Sequence, residues 1–449
     1  MVVLYMLDLI TFVGYIVLLL SVALWRTRSS TSNDTFLLGH KATGLAALTA
    51  TLVMAELNMS TLLGFSSMGY VAGTQALLLP LAFLVGLLFY SFAAARSWQR
   101  LKGLSVSDFF HQKYGSKLGI FAAASLWIAM LGFAATYIKS LVVIFAPLVP
   151  DWSSLSLSIP LTVIILLLCI RSGLMSVIRV DSVSFIATII FVPILLYFAY
   201  SSPDSASIAT TTYDTSALPT SYAASIILLT TFTYIASPWY GQRILSARSG
   251  KVAVTAVILA AVIVFVLYAV MVLAAAYLRA SGVALEQVEW SIPYIVEHQL
   301  PGGLRGWGYG LFFALAATTL SGLWTAMTAM IQSEWPRVTQ QPVWSNRLLL
   351  LLSASLSWLI SELLVDSILQ KLILANIPVY ALSFAILAGF HWSRVSTIGA
   401  SISTGVGLIW GISCYLYVGE SGFYTVYWAF GGLPLIFGTG ILGSLLFPD

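Results

Sequence analysis

At the centre of the apolar run from Trp307 to Gln332 stands the stretch Ala314-Leu315-Ala316-Ala317-Thr318-Thr319-Leu320-Ser321. Its adjacent hydroxyls lie where a membrane helix normally carries hydrocarbon, and its small residues let a second helix approach closely. One interpretation is that the hydroxyls bond to carbonyls of their own helix. The other is a cation site, because hydroxyl and freed carbonyl oxygens are hard ligands that suit an alkali ion.

The composition is that of a protein embedded in a lipid bilayer. Of the 449 residues, 59% are hydrophobic and only 8% are charged, which is too apolar for a protein with a water-exposed surface. The net charge is +4, but no basic helix or aromatic-basic patch is present, so nucleic acid is not an expected partner. We therefore expect an all-α polytopic membrane protein.

Thirteen apolar segments are long enough to cross a hydrocarbon layer of about 30 Å. Each is predicted to form one transmembrane helix. They are approximately Asp8–Trp25, Gly44–Tyr70, Gln75–Arg96, Lys117–Pro147, Leu157–Ile170, Ser176–Tyr200, Tyr222–Trp239, Lys251–Leu278, Trp307–Gln332, Asn346–Leu364, Ser367–Phe390, Val395–Tyr417 and Phe423–Phe447.

The basic residues predict the orientation of these helices. With an external N-terminus, most Lys and Arg fall on the cytoplasmic side, three fall outside, and Lys139 lies within a helix. The cytoplasmic ones are Arg26, Arg28, Lys41, Arg96, Arg100, Lys102, Lys113, Lys117, Arg171, Arg179, Arg243, Arg248, Lys251, Arg337, Arg347 and Arg394, and the external ones are Arg279, Arg305 and Lys371. This bias predicts an external N-terminus, an uncleaved first helix and a cytoplasmic C-terminus, as in a plasma (inner) membrane protein.

The second predicted helix carries Glu56 and Asn58 at the depth of the membrane midplane. A carboxylate inside the membrane is costly, and it is a functional candidate by default. The alternative is a structural acid that pairs with a neighbouring hydroxyl.

Five stretches, in chain order, resemble the sodium/solute symporter family, which includes proline, sugar, sialic acid and pantothenate symporters. The first is the lead-in Phe36-Leu37-Leu38-Gly39 with the second helix through Gly64, Tyr70 and Gly73. The others are Ser105-Val106-Ser107-Asp108-Phe109-Phe110 with Lys113-Tyr114-Gly115, the trio Gly173, Val177 and Asp181, Gln242-Arg243-Ile244-Leu245-Ser246-Ala247-Arg248-Ser249, and the opening Ala314–Ser321 stretch.

The resemblance implies a single transmembrane transporter domain over residues 1–449 with an inverted-repeat, leucine-transporter-like fold. The two inverted five-helix repeats would be helices 2–6 (residues 44–200) and helices 7–11 (residues 222–390). Helices 1, 12 and 13, in residues 1–43 and 391–449, would be peripheral. Helices 2 and 7 would be interrupted at the midplane, and rocking of one repeat against the other would give alternating access.

The resemblance also implies the site residues, with Na⁺ as the coupling ion. The sodium ligands would be the carbonyls of Met54, Leu57 and Leu315 and the hydroxyls of Thr318 and Thr319. The solute would lie near Glu56, Asn58, Gly64, Tyr137, Lys139, Phe232 and Ser237. Trp239 would close the inner exit, and Asp181 would act at the inner gate. Two positions depart from the family pattern, because Ser184 replaces a glutamine and Leu315 replaces a small residue.

The predicted function is sodium-coupled import of a small organic solute, and not enzymatic catalysis. Glu56 and Lys139 would either pair with each other as a gate or meet opposite charges on the solute. Because the Thr230–Ser237 segment has no Asn or Gln, an amino acid or carboxylate is favoured over a sugar. The alternatives are a membrane sensor of the same fold and a sodium-coupled sugar carrier. A channel or a hydrolase is not indicated, since no continuous polar stripe or nucleophile with a histidine or metal set is visible.

Overall fold

The computed structural model describes residues 6–24, 43–101, 106–171, 174–201, 208–334 and 343–449. Several features used above lie outside these residues. They are the Phe36–Gly39 lead-in, Ser105, Gly173, and the basic residues Arg26, Arg28, Lys41, Lys102 and Arg337.

Helices account for the membrane-embedded part of the described chain, and we number the spans α1 to α13. Three spans are interrupted. The bounds are α1 Met6–Leu24, α2a Leu45–Glu56, α2b Met59–Ala72, α3 Leu78–Ala93, α4 Ser116–Phe145, α5 Ser154–Arg171, α6 Leu174–Tyr200, α7a Thr220–Thr233, α7b Pro238–Leu245, α8 Gly250–Ala280, α9 Leu304–Glu334, α10 Val343–Leu364, α11a Ile368–Leu374, α11b Ile377–Ala381, α11c Ser383–His391, α12 Thr397–Val418 and α13 Tyr424–Leu446.

Eleven helical runs in the described residues are long and apolar enough to cross a membrane, so the chain is a multi-pass membrane protein. One run, Met59–Ala93, combines α2b with α3, and two shorter apolar helices are Leu45–Glu56 and Ser154–Leu167. These helices together account for the thirteen predicted spans, and their bounds lie within a few residues of the predicted ones, apart from the breaks.

The break in α2 lies at Leu57 and Asn58 and follows from the chemistry of Asn58. Its side-chain oxygen accepts a hydrogen bond of 2.8 Å from the backbone N–H of Thr61, so it caps the first turn of α2b. Asparagine is among the residues that best satisfy the free N–H groups at a helix start. A new helix can therefore begin here inside the bundle.

The break in α7 follows from Pro238. A short 3₁₀ turn covers Tyr234–Ala236, Ser237 has extended backbone, and α7b begins at Pro238. Proline disfavours helical geometry in the residue before it and is well tolerated in the first turn of a helix. The interruption of both α2 and α7 agrees with the prediction, while the exact ends of the two inverted repeats remain a prediction.

Helix α11 was predicted as one continuous span but consists of three segments, separated by Ala375–Asn376 and by Leu382. Pro378 lies in the first turn of α11b, where its missing N–H leaves no helical hydrogen bond unmade. The interruption matters for the site because Asn376 falls at the first break.

Helix α9 is buried between α1, α4, α6 and α10 and carries the Ala314–Ser321 stretch. Its N-terminal end is fixed to α1 by Asp8, whose carboxylate accepts hydrogen bonds from the backbone N–H groups of Gly303 at 2.6 Å and Gly306 at 3.1 Å. These donors at the start of a helix lack partners of their own. The acid of α1 therefore caps α9.

Candidate solute and ion site

A cavity of about 90 Å³ lies beside the breaks in α2 and α7. Of the predicted solute residues, Glu56, Asn58, Tyr137 and Ser237 line it, and the predicted gate residue Trp239 does as well. The lining continues through Leu79, Tyr222 and Leu369, near the ends of α3, α7a and α11a that the charge distribution predicts to be external. The cavity therefore extends from the breaks toward the predicted external side.

Glu56 is the last residue of α2a and is held by neutral donors from the broken helix α7. Its carboxylate accepts a hydrogen bond from the Tyr234 hydroxyl, and the Trp239 indole N–H donates to it at 3.3 Å. Only 3% of Glu56 is exposed. A carboxylate has about four acceptor positions, so two bonds leave capacity for a further donor from the cavity.

The two halves of α2 are held together across their break by Tyr268 of α8. The Tyr268 hydroxyl donates to the Glu56 carbonyl at 2.5 Å and accepts from the Asn58 N–H at 3.1 Å. The Glu56 carbonyl is therefore occupied. Among the described residues, the carbonyls of Met54 and Leu57 receive no hydrogen bond, so they are free to bind an ion.

The predicted sodium residues of α9 lie together. The hydroxyls of Thr318 and Thr319 donate to the Leu315 carbonyl at 3.3 Å and 2.6 Å, which clusters three oxygens in one helical turn. These bonds are the ones expected if the hydroxyls bond only to carbonyls of their own helix. They do not exclude an ion, because each hydroxyl oxygen keeps its lone pairs.

Asp181 of α6 belongs to a buried polar cluster beside Thr318. Its carboxylate accepts a hydrogen bond of 2.5 Å from Thr51, lies 3.6 Å from a guanidinium nitrogen of Arg243, and lies within interaction range of Thr318. Its Oδ1 atom is buried without a hydrogen-bond partner. The cluster therefore contains an unsatisfied hard oxygen next to the predicted ion ligands.

The predicted cytoplasmic ends of α2a and α7b are joined. The Thr43 N–H donates to the Ser246 carbonyl, and the Arg248 N–H donates to the Thr43 carbonyl, both at 3.1 Å. The Arg243–Asp181 contact lies between this junction and the cavity. Arg243 had been counted as a cytoplasmic loop residue, but it is 2% exposed within the bundle, so it does not count toward the charge bias.

Three predicted solute residues do not line the cavity. Gly64 provides room for α11a instead, since a Cβ atom there would lie 2.9 Å from Leu369. The Phe232 ring packs against Phe89 of α3 and Phe437 of α13. Lys139 is half-buried on α4 and makes no ion pair with Glu56. The predicted Glu56–Lys139 gate is therefore not formed in this structure.

The cavity also contains polar residues that the sequence did not single out. Asn376, Thr61 and Thr233 line it, and the Thr233 hydroxyl is buried without a partner. The absence of Asn and Gln from Thr230–Ser237 therefore does not leave the cavity without amides, because Asn58 and Asn376 each contribute one. The sequence does not predict Asn376 here, because it reaches the cavity only through the break in α11. Nothing in the apolar sequence of α8 indicates the role of Tyr268, which contacts a segment more than two hundred residues earlier in the chain.

Comparisons with known proteins agree with this architecture. No family model matches the chain, and a search of curated proteins found no match. Among solved structures, 145 chains match. One is the substrate-bound, outward-open state of a Na⁺-coupled sialic acid symporter, with 15% sequence identity, a TM-score of 0.82, and coverage of 99% of this chain and 98% of that chain.

The chain therefore has the fold of that symporter along its whole length. The leucine-transporter-like fold that the sequence resemblance implied is confirmed. Both the predicted cavity and the predicted ion ligands lie at the breaks of α2 and α7 and on the adjacent α9, where this class of fold brings interrupted helices together.

Proposed function

We propose that this protein is a sodium-coupled symporter that imports a small organic solute by alternating access, and that it is not an enzyme. The observation that carries the proposal is the cavity at two interrupted helices, closed on the predicted cytoplasmic side. Helix α9, which carries the oxygen cluster, packs against α2a and α7b of these helices. Interrupted helices expose backbone groups to ions and solutes at the midplane.

Sodium is the coupling ion that fits the available oxygens. The free carbonyls of Met54 and Leu57 and the clustered oxygens of Leu315, Thr318 and Thr319 are hard, mostly neutral ligands. Such ligands suit an alkali ion better than a transition metal. No group of three or more His, Cys, Asp or Glu side chains that could hold a metal occurs in the described part of the chain.

The solute binds in the cavity, against Glu56, Asn58, Tyr137 and Ser237, with Trp239 as the floor toward the inner side. A charged or zwitterionic metabolite, such as an amino acid or a carboxylate, is favoured over a sugar. Within this class Glu56 supports the members that carry a positive charge, such as an amino acid. Both amides of the cavity already bond to nearby backbone carbonyls.

In this proposal the N-terminus is external and the C-terminus is cytoplasmic. The cavity then extends toward the outside, and the solute enters from there. The basic residues other than Arg243 still support that orientation. The buried Asp181–Arg243 contact and the Thr43–Ser246 junction lie on the inner side. They would have to separate for release, so we assign Asp181 to the inner gate.

The test is uptake by the purified full-length protein in liposomes. Candidate solutes are first selected by thermal-shift screening in sodium and in potassium buffer. Each hit is then offered, radiolabelled, to proteoliposomes with an inward sodium gradient or an equal potassium gradient. Accumulation above the external concentration, with sodium only, supports the proposal.

A membrane sensor of the same fold is the alternative, and the same experiment separates the two. A sensor binds the solute with sodium-dependent stabilisation but does not accumulate it inside the liposomes. Binding without accumulation, in protein shown to be correctly inserted by protease accessibility, would favour the sensor.

A further inference from the structure

The buried charges around the cavity do not balance. Glu56 and Asp181 are two buried acids, and in the part of the chain that the structure describes Arg243 is the one buried base near them. Arg243 is already committed elsewhere. It donates to Thr51 at 3.0 Å and to the Trp239 carbonyl at 3.1 Å, and it lies 3.6 Å from Asp181.

Glu56 therefore has no cationic partner. Among the described residues, no Lys, Arg or His nitrogen lies within 4.0 Å of its carboxylate. Its hydrogen-bond donors are the neutral Tyr234 and Trp239. A buried carboxylate without a counter-charge is strongly unfavourable, so it invites a cation from the cavity that it lines.

The walls of the cavity have the chemistry that accepts an organic cation. Seven of the lining residues are aromatic, Glu56 is the one acid, and no lining residue is basic. The seven are Phe65, Phe83, Phe133, Tyr137, Tyr222, Tyr234 and Trp239. Two rings, Phe133 and Trp239, meet edge to face at 5.0 Å beside the carboxylate. Aromatic faces attract ammonium groups, most strongly where water is excluded.

We propose that the solute carries an organic ammonium group, which binds between the Glu56 carboxylate and the aromatic walls of the cavity. This inference rests on the proposed transport function and narrows its solute class. A simple carboxylate is disfavoured, because its negative charge would meet Glu56 with no base in the lining. A sugar leaves the Glu56 charge uncompensated.

Sodium does not remove the need for this ammonium group. The proposed ion ligands are the oxygens of α9 and the free carbonyls of α2, beside the unsatisfied Oδ1 atom of Asp181. A sodium ion there lies beside the Asp181–Arg243 pair and not at Glu56, whose carboxylate still faces the cavity with only neutral donors.

The test compares probes of equal shape and different charge. Full-length protein in nanodiscs is titrated with choline, with its neutral carbon isostere 3,3-dimethylbutan-1-ol, and with 3,3-dimethylbutanoate. A second series pairs ethanolamine and butylamine with neutral alcohols and carboxylates of the same length. Thermal shift and calorimetry are recorded in sodium and in potassium buffer.

We expect at least one ammonium probe to bind about tenfold or more tightly than both of its partners. Glu56→Gln should abolish this preference, while Glu56→Asp, which keeps the charge, should retain it. Glu286→Gln, at an exposed position between α8 and α9, is the matched control and should change nothing.

Equal binding of the members of each series, or preference for the carboxylate, would overturn the proposal. So would a Glu56→Gln variant that weakens sodium binding but leaves the ammonium preference intact, since Glu56 would then be an ion ligand. If the preference is present and depends on Glu56 but is the same in sodium and potassium, the ammonium site stands and sodium coupling fails.

Discussion

The Tyr268 hydroxyl donates a hydrogen bond of 2.5 Å to the backbone carbonyl of Glu56, across 212 residues of chain. It also accepts from the Asn58 N–H at 3.1 Å, so one side chain of α8 satisfies both sides of the break in α2. The break itself exposes polar backbone in an apolar bundle. Tyr268 is therefore part of what makes an interrupted helix stable here.

Replacing Tyr268 by phenylalanine should destabilise the protein by about 1–3 kcal/mol, because it removes two buried hydrogen bonds, each worth about 0.5–1.5 kcal/mol, at the Glu56 carbonyl and the Asn58 N–H. Thermal unfolding in detergent measures this. Tyr90→Phe is the matched control, since the Tyr90 hydroxyl is equally buried but has no hydrogen-bond partner. A loss of stability in Tyr90→Phe as large as in Tyr268→Phe would contradict the assigned role.

Asp181→Asn should slow uptake by roughly tenfold or more while leaving equilibrium solute binding nearly unchanged. The reason is that Asp181 contacts Arg243 and Thr51 on the predicted cytoplasmic side and does not line the cavity. Breaking a buried ion pair also leaves Arg243 without its counter-charge. Uptake rates and solute binding are measured side by side, with the exposed Asp151→Asn as control. A large loss of solute affinity would count against a gating role.

Lys139→Gln should leave solute affinity within about twofold of the wild type, since a half-buried residue outside the cavity makes no contact with the solute. Competition binding with the solute found by screening measures the effect. Glu56→Gln, measured in parallel, should reduce affinity strongly. If Lys139→Gln were as damaging as Glu56→Gln, Lys139 would belong to the site after all.

Gly306→Ala should be strongly destabilising, because a Cβ atom there would overlap the backbone carbonyl of Asp8 in α1. Overpacking of this kind typically costs about 1–3 kcal/mol, and here the clash is with backbone that cannot rotate away. Gly302→Ala is the control, since nothing lies within 4 Å of a Cβ atom at that position. Equal unfolding temperatures of the two variants would show that α1 is not fixed at this contact.

The fold was predictable from the sequence because its signals are local. Long apolar runs, the charge bias and Pro238 in α7 each determine the structure of the few residues around them. Pro378 indicates the first break in α11 in the same way. It lies inside an otherwise continuous apolar run, which predicts a single helix.

The site was predictable only in part, because it depends on how distant helices meet. Glu56 stood out as an acid in hydrocarbon, and the Thr318-Thr319 pair as adjacent hydroxyls. The direction in which a side chain points from its helix decided the rest: Phe232 packs against α3 and α13, and Lys139 does not line the cavity. Tyr268 and Arg243 acquire their roles through partners on other helices, so their neighbouring residues gave no indication.

Titration of sodium against thermal stability tests the central claim most directly, with the wild type, Thr318→Ala, Thr319→Ala and the control Thr328→Ala. Thr328 lies on the same helix and makes the same kind of bond to a carbonyl one turn earlier, but it lies away from the break. Loss of one ion-binding hydroxyl costs about 1–3 kcal/mol, so sodium affinity should fall by roughly tenfold to a hundredfold in Thr318→Ala and Thr319→Ala. Thr328→Ala should match the wild type. A wild type that sodium does not stabilise relative to potassium, or unchanged sodium affinity in both site variants, would contradict the account.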